Sequence, residues 1–332
     1  MKAMEVNVPA PSQHAPLVAP PSAPPLPRAA WLRHGPFLAH LVVTRRCNLS
    51  CAYCNEYDRT SSPVPREALE QRLAKLRQLR TWMVCLTGGE PTLHPDLVRL
   101  VARMKELGIR RRQMITNGYR MTRRLVEELN GAGLTDLQIS VDGVRPSATT
   151  VKVLDRLRDR LELLAAAARF RVVVSAVVGS APPSEALEVV RFTQRVGLTP
   201  RIILLHDGSG QLRLGPDELA AFAEVKRLLG RRGRESADYR QRLIDGGAAP
   251  FRCRAGARYL YVDERGDVRW CSQTPALFSK PLAEYGLDDL TRQFDTPKPC
   301  AVGCTVGCAR SASAYDGWRP QGSRQATTPD RG

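Results

Sequence analysis

The stretch Phe37-Leu-Ala-His-Leu-Val-Val-Thr44-Arg-Arg-Cys47-Asn-Leu-Ser-Cys51-Ala-Tyr-Cys54 couples an apolar run to three cysteines spaced C-x3-C-x2-C. The run has the composition of a buried strand, and the cysteines fall in the loop at its end. Three thiolates are one short of what a four-iron cluster or a structural zinc needs. One metal corner is therefore left open to a ligand from outside the protein. A second apolar run, residues 82–86, ends in Thr87-Gly88-Gly89-Glu90-Pro91.

Outward from these runs the pattern alternates between β-branched segments and amphipathic segments of helical length. Residues 41–44 precede 66–80, 83–86 precede 97–107, and 113–115 precede 122–130. The series continues with 137–141 before 150–168, 172–178 before 184–196, and 202–205 before 216–229. Pro65, Asp96, Gly108, Gly197 and the Asn117-Gly118 turn mark boundaries between them. Six βα units imply a parallel sheet with right-handed crossovers. They are too few for the usual eight-stranded barrel, so a partial barrel or an open sheet is expected. In either geometry the working residues lie just past the C-terminal ends of the strands.

Composition bounds the rest. A chain of 332 residues, 43% hydrophobic, can bury a sizeable core. It contains no run long enough to span a membrane and no secretory signal, which makes the cytoplasm the expected compartment. Nine cysteines under reducing conditions point to metal binding or catalysis more than to disulfides. Eight fall into two groups, one near the start and one near the end, and Cys85 stands alone as a core residue. The net charge of +17 invites a nucleic-acid reading. However, 43 of the 50 basic residues are Arg spread along the helices, and aromatics make up only 6% of the chain. That is the pattern of a solvated basic surface with few platforms for stacking bases.

The loop Cys47-Asn-Leu-Ser-Cys51-Ala-Tyr-Cys54, together with Gly88-Gly89-Glu90-Pro91 at the next strand end, resembles the radical S-adenosylmethionine (radical SAM) superfamily over about residues 37–210. The resemblance implies an α/β fold, a partial (β/α)6 TIM-like barrel with a small C-terminal Cys-rich extension. It implies a [4Fe-4S] cluster on Cys47, Cys51 and Cys54, with S-adenosyl-L-methionine on the open iron. Gly88 and Gly89 are expected to let backbone approach the cofactor, and Glu90 to accept from its ammonium group. By the same resemblance Tyr53 lies near the adenine. Thr116, Asn117, Ser140 and Asp142 sit where relatives contact the ribose and the methionine carboxylate. His206-Asp207-Gly208 would face the same mouth, whereas His94 reads as a turn residue. An electron donor such as flavodoxin or ferredoxin is implied as a partner.

Near the C-terminus, Cys253, Gly266 and Cys271 resemble the C-x9–15-G-x4-C opening of SPASM and Twitch extensions, which bind auxiliary iron–sulfur clusters and begin with a β-hairpin. The complete SPASM pattern is not followed, because only Cys300, Cys304 and Cys308 come after. Five thiolates cannot supply two fully thiolate-ligated four-iron clusters. One auxiliary cluster, of the [4Fe-4S] type, is the economical expectation, held by Cys253, Cys271 and two or three of the last group, with a closed zinc site as the alternative.

The expected domains are a disordered Pro-rich tail at 1–34, the barrel at 35–235, the auxiliary-cluster domain at 236–312 and a flexible tail at 313–332 in which Tyr315 and Trp318 can pack back. The expected substrate is a peptide or a small molecule. The short Pro-rich tail, in place of a leader-binding domain, counts mildly against a leader peptide. The rival reading is a non-catalytic, basic metal-binding or nucleic-acid-interacting protein.

Overall fold

The computed structural model describes residues 24–54, 57–205, 212 and 214–316. Trp318 and His206-Asp207-Gly208 lie outside the described residues. Six strands each lead into a helix: β1 (Leu38–Thr44), β2 (Met83–Gly88), β3 (Arg111–Thr116), β4 (Asp136–Val141), β5 (Arg171–Val178) and β6 (Thr199–Leu204). Helix α1 (Arg28–His34) precedes them. The six paired helices are α2 (Arg66–Gln78), α3 (Leu97–Glu106), α4 (Arg123–Ala132), α5 (Leu154–Ala167), α6 (Pro183–Arg195) and α7 (Pro216–Leu228). The helices form because their apolar residues recur at helical spacing. In α5, Leu154, Leu157, Leu161 and Leu164 make one buried stripe, and each such leucine contributes about 2 kcal/mol by burial. Thr122 caps α4 by accepting the Leu125 N–H, and Gly133 ends it in the left-handed region.

After α8 (Arg231–Ile244), which the alternation does not announce, the chain adds β7 (Tyr259–Val262), β8 (Asp267–Arg269), β9 (Lys280–Pro281), α9 (Leu287–Asp295) and α10 (Gly307–Ser313). The nine described strands form one sheet in the order β6-β5-β4-β3-β2-β1-β7-β8-β9. From β6 to β7 every pairing is parallel, and the last two are antiparallel. The sheet is mostly parallel and does not close, as expected for a partial barrel.

The hairpin of the extension is present, but it is not separate from the barrel. Strand β7 pairs with β1 from Leu38↔Tyr259 to Leu41↔Val262, covering the edge that an unclosed sheet leaves with unpaired backbone groups. Alternation along β1 then divides two cores. Ala39, Leu41 and Val43 face the helices, while Leu38 and Val42 pack on the inner face with Cys85, Cys253, Tyr259 and Cys271. Cys85 is completely buried, as a core cysteine should be.

The expected tails are shorter than composition suggested. Residues 28–34 form α1, and the Leu26 N–H bonds to Gln78 O at 2.8 Å. At the other end Tyr315 stacks on Phe37, with ring centroids 5.4 Å apart, and Asp316 is buried. Proline content disfavours regular structure but leaves single apolar anchors free to dock.

Candidate active site

The loop after β1 is held by backbone bonds on both sides: the Cys47 N–H to Asp58 O at 3.0 Å and the Ala52 N–H to Thr149 O at 3.0 Å. Cys47, Cys51 and Cys54 all border one cavity of 320 Å³ at the C-terminal ends of the parallel strands. The Leu49 N–H lies 3.4 Å and Asn117 Nδ2 3.9 Å from Cys47 Sγ, while Cys51 Sγ is 3.7 Å from Thr150 Oγ1. Burial raises the Cys47 thiol pKa, and the charges of Glu90, Cys54 and Cys51 add to this. Neighbouring thiols that resist joint ionisation are what a cationic iron centre would reverse, and N–H donors to sulfur are how proteins tune such centres. The donor set fits an iron–sulfur cluster. Among the described residues no three His, Cys, Asp or Glu converge on a single metal-ion position. A cluster does not require that, since each thiolate binds a different iron.

Gly88, Gly89, Thr116, Asn117 and Ser140 border the same cavity. The two glycines serve the protein itself. A Cβ on Gly88, whose φ is +132°, would lie well under 3.0 Å from Thr44 O, and one on Gly89 equally close to the carbonyls of Arg45 and Arg46. They let β2 pass against the backbone that leads into Cys47. The Glu90 side chain is fully buried. Its Oε1 accepts from the Thr92 N–H at 3.0 Å and from the hydroxyls of Thr92 and Thr116 at 2.7 Å, and its Oε2 accepts from the Asn117 N–H at 2.7 Å. Instead of standing open in the cavity, Glu90 ties the end of β2 to the end of β3.

Tyr53 and Asp142 also stand behind the wall. The Tyr53 hydroxyl donates to Asp142 Oδ2 at 2.5 Å, and the Thr150 hydroxyl donates to the same oxygen at 2.7 Å. Lys152 Nζ lies 3.4 Å from it and 5.0 Å from the centre of the Tyr53 ring. Burial works against the Lys152 charge, but Asp142 and Tyr53 outweigh it, so the lysine pKa is pushed up and the ammonium persists. Burial, with Asp142 adding to it, pushes the Tyr53 phenol up. The group therefore links the Cys51–Cys54 loop to the end of β4 as a neutral phenol between an ammonium and a carboxylate. Asp142 Oδ1 is buried with no hydrogen-bond partner. His94 is a turn residue: its Nδ1 accepts the Asp96 N–H at 3.1 Å and its Nε2 faces Val64 O at 2.8 Å.

The extension carries five cysteines. The charges felt by the Cys304 thiol, whose pKa burial pushes up to about 12, come from Cys253, Cys271 and Cys300. Cys308 lies within electrostatic reach of Cys85 and Arg240, and it borders the central cavity. Sequence reasoning also missed His40, Lys152, Arg201, Arg240 and Tyr259 on that cavity. Only Lys152 carries a retrospective signal, as one of seven lysines in an Arg-biased chain.

An open parallel sheet with three thiols after its first strand and a Gly-Gly-Glu turn after its second defines an iron–sulfur enzyme of the partial-barrel type. The sequence matches the radical SAM superfamily over residues 41–208, half of the chain, and the protein belongs to that superfamily. Membership of that superfamily implies a [4Fe-4S] cluster and S-adenosylmethionine as its cofactors. The chain is 36% identical over 112 residues to a PqqA peptide cyclase of Bradyrhizobium diazoefficiens, covering 33% of this chain and 29% of that one. It is 30% identical to the GTP 3′,8-cyclase of Heliobacterium modesticaldum, covering 65% and 68%. Over the PqqA peptide cyclases, then, the likeness spans only about a third of their length. The fold is similar to that of Streptococcus suis SuiB bound to the precursor peptide SuiA, with a TM-score of 0.61, 17% identity, and coverage of 81% of this chain and 68% of that one. No helix among the described residues is long and apolar enough to cross a membrane.

Proposed function

We propose that this chain reductively cleaves S-adenosylmethionine and uses the product to abstract a hydrogen atom from a peptide side chain or a small metabolite. The observation that supports this most is that Cys47, Cys51 and Cys54 share one cavity with the polar ends of β2, β3 and β4. A cluster bound to the three thiols would supply the electron that splits the cofactor's carbon–sulfur bond and yields a 5′-deoxyadenosyl radical. The protein's part is to hold the thiol loop in place through Glu90, Asn117 and the Tyr53–Asp142–Lys152 group. It also offers Ser140, Thr116 and backbone at Gly88 and Gly89 to the cofactor. Anaerobically reconstituted protein given a strong reductant and S-adenosylmethionine should release 5′-deoxyadenosine. No release from protein with a spectroscopically intact cluster would overturn the reading.

Cys253, Cys271, Cys300 and Cys304 are the four ligands we propose for one auxiliary iron–sulfur cluster. Their mutual electrostatic influence supports this set. A flavodoxin or ferredoxin would deliver the electron, and cysteine usage favours the reducing cytoplasm. The names of the relatives favour both substrate classes, a peptide and a nucleotide.

A further inference from the structure

A second cavity, of 480 Å³, adjoins the thiol loop, and Cys47 borders both it and the central cavity. Arg46, Arg59 and Arg120, all exposed, line it together with Pro63 and Leu93. Each arginine is joined to the thiol loop by a separate connection. Arg46 is the residue before Cys47, and its carbonyl accepts the Glu90 N–H at 2.9 Å. Arg59 Nη2 donates to the hydroxyl of Ser50, inside the loop. Arg120 stands three residues after Asn117, whose side-chain amide donates to Asn48 Oδ1 at 2.8 Å. Among the described residues on this side, Asp58 is turned to other partners. Its carboxylate accepts the Thr60 and Ser61 N–H groups at 3.1 and 2.9 Å and faces Arg45 at 4.0 Å.

We infer that the face made by Arg46, Arg59 and Arg120 is where a small acidic one-electron carrier protein docks to reduce the cluster proposed on Cys47, Cys51 and Cys54. This rests on the proposed function, which needs an electron delivered from outside the chain. Electron transfer falls off steeply with distance, so the carrier's own redox group has to come close to a thiol ligand. The central cavity, which holds S-adenosylmethionine and substrate in the proposed function, is too small at 320 Å³ to admit a protein. Cys47 is the thiol that the second cavity also reaches. Exposed guanidiniums around it steer an acidic surface and pair with its carboxylates. Pro63 and Leu93 supply apolar contact of the kind a transient interface buries. The carrier gives up one electron and leaves oxidised by one unit, and no bond forms between the two proteins. Among the described residues no aromatic side chain lines this cavity to stack a base, which disfavours single-stranded nucleic acid as its occupant.

The test uses the full chain with its clusters reconstituted anaerobically, and an oxidised flavodoxin and an oxidised ferredoxin as separate probes. At low ionic strength at least one should bind, and its Kd should rise with added salt. Arg59→Glu and Arg120→Glu together should raise that Kd about tenfold or more, as the reversal of two interface charges. In stopped flow the reduced probe should bleach the double variant's cluster absorption about tenfold more slowly than that of wild type. Deazariboflavin, a small uncharged photoreductant, should bleach both alike. Arg195→Glu is the control, because it makes the same kind of charge change at the C-terminal end of α6, at the other end of the strands from the thiol loop. If Arg59→Glu costs iron, Arg120→Glu alone carries the decision, since Arg120 lies outside the loop. Binding of neither carrier, an equal Kd in wild type and variant, or an equal loss in Arg195→Glu would overturn the inference. So would a variant that loses affinity for an oligoribonucleotide and not for the carrier, since the face would then belong to nucleic acid. Binding and reduction require no cleavage of S-adenosylmethionine, so failure here is distinguishable from failure to release 5′-deoxyadenosine.

Discussion

The Arg258 guanidinium and the Asp316 carboxylate meet in the interior, Nε to Oδ2 at 2.8 Å and Nη2 to Oδ1 at 3.0 Å. The remaining N–H groups of Arg258 donate to the carbonyls of Trp31, Leu32, Arg33 and Gly35, at the end of α1. One fully buried side chain at the start of β7 thus gathers segments from both ends of the chain. Arg258→Met should destabilise the fold by about 3–5 kcal/mol, because it leaves Asp316 buried without its counter-charge. Chemical denaturation measures the loss, and faster amide exchange confined to residues 28–35 and 312–316 would locate it.

Glu90 joins two strand ends through four hydrogen bonds, so its removal should be felt as stability as well as cofactor affinity. Glu90→Gln sets an amide donor against a donor and should cost about 1–3 kcal/mol in denaturant titration. An unchanged midpoint would mean that the carboxylate serves only the cofactor.

At Gly89 the backbone of Arg45 and Arg46 fills the space a methyl group would need. Gly89→Ala should displace the approach to Cys47 and lower the iron retained after reconstitution. Gly131, which has nothing within 4 Å of its would-be side chain, is the control, and Gly131→Ala should retain iron at the wild-type level.

Iron counting separates the thiols. Changing Cys47, Cys51 and Cys54 to Ala should remove about four irons, and Cys304→Ser should remove about four others. Cys308→Ser should remove none. Loss of iron from Cys308→Ser would return that residue to the ligand set.

Asp289 accepts Lys280 Nζ at 2.9 Å on both oxygens and the Gly286 N–H at 3.0 Å, joining β9 to α9. Burial raises its pKa, but the bonds and charges of Lys280, Gly286 and Arg292 outweigh this and hold it below the ordinary 3.8. The unfolded chain therefore binds the proton more readily. The stabilisation is complete above that ordinary value and is lost as pH falls through the lower native one. Asp289→Asn should flatten the acid limb of the stability curve below about pH 4 while leaving the neutral region less stable.

Much of this was legible along the chain. The six βα units follow from side-chain periodicity, and the two strand-end motifs from residue types that only one kind of chemistry needs in that order. Helix α8 escaped because its sequence, Arg231–Ile244, is dominated by charged residues and shows no apolar stripe. The role of Glu90 escaped because its partners Thr116 and Asn117 lie more than twenty residues away, on another strand.

By itself the sequence determined the strands, the helices and the thiol loop, because periodicity and ligand spacing are local properties. Only the tertiary structure decided which side chains share a cavity. Cys47 follows the interior strand β1, Arg201 lies on the edge strand β6, and Arg240 and Cys308 come from α8 and α10, yet all four border one cavity. The same packing made Gly88, Gly89 and Glu90 supports of the thiol loop, since a backbone or a carboxylate answers whatever the fold sets against it.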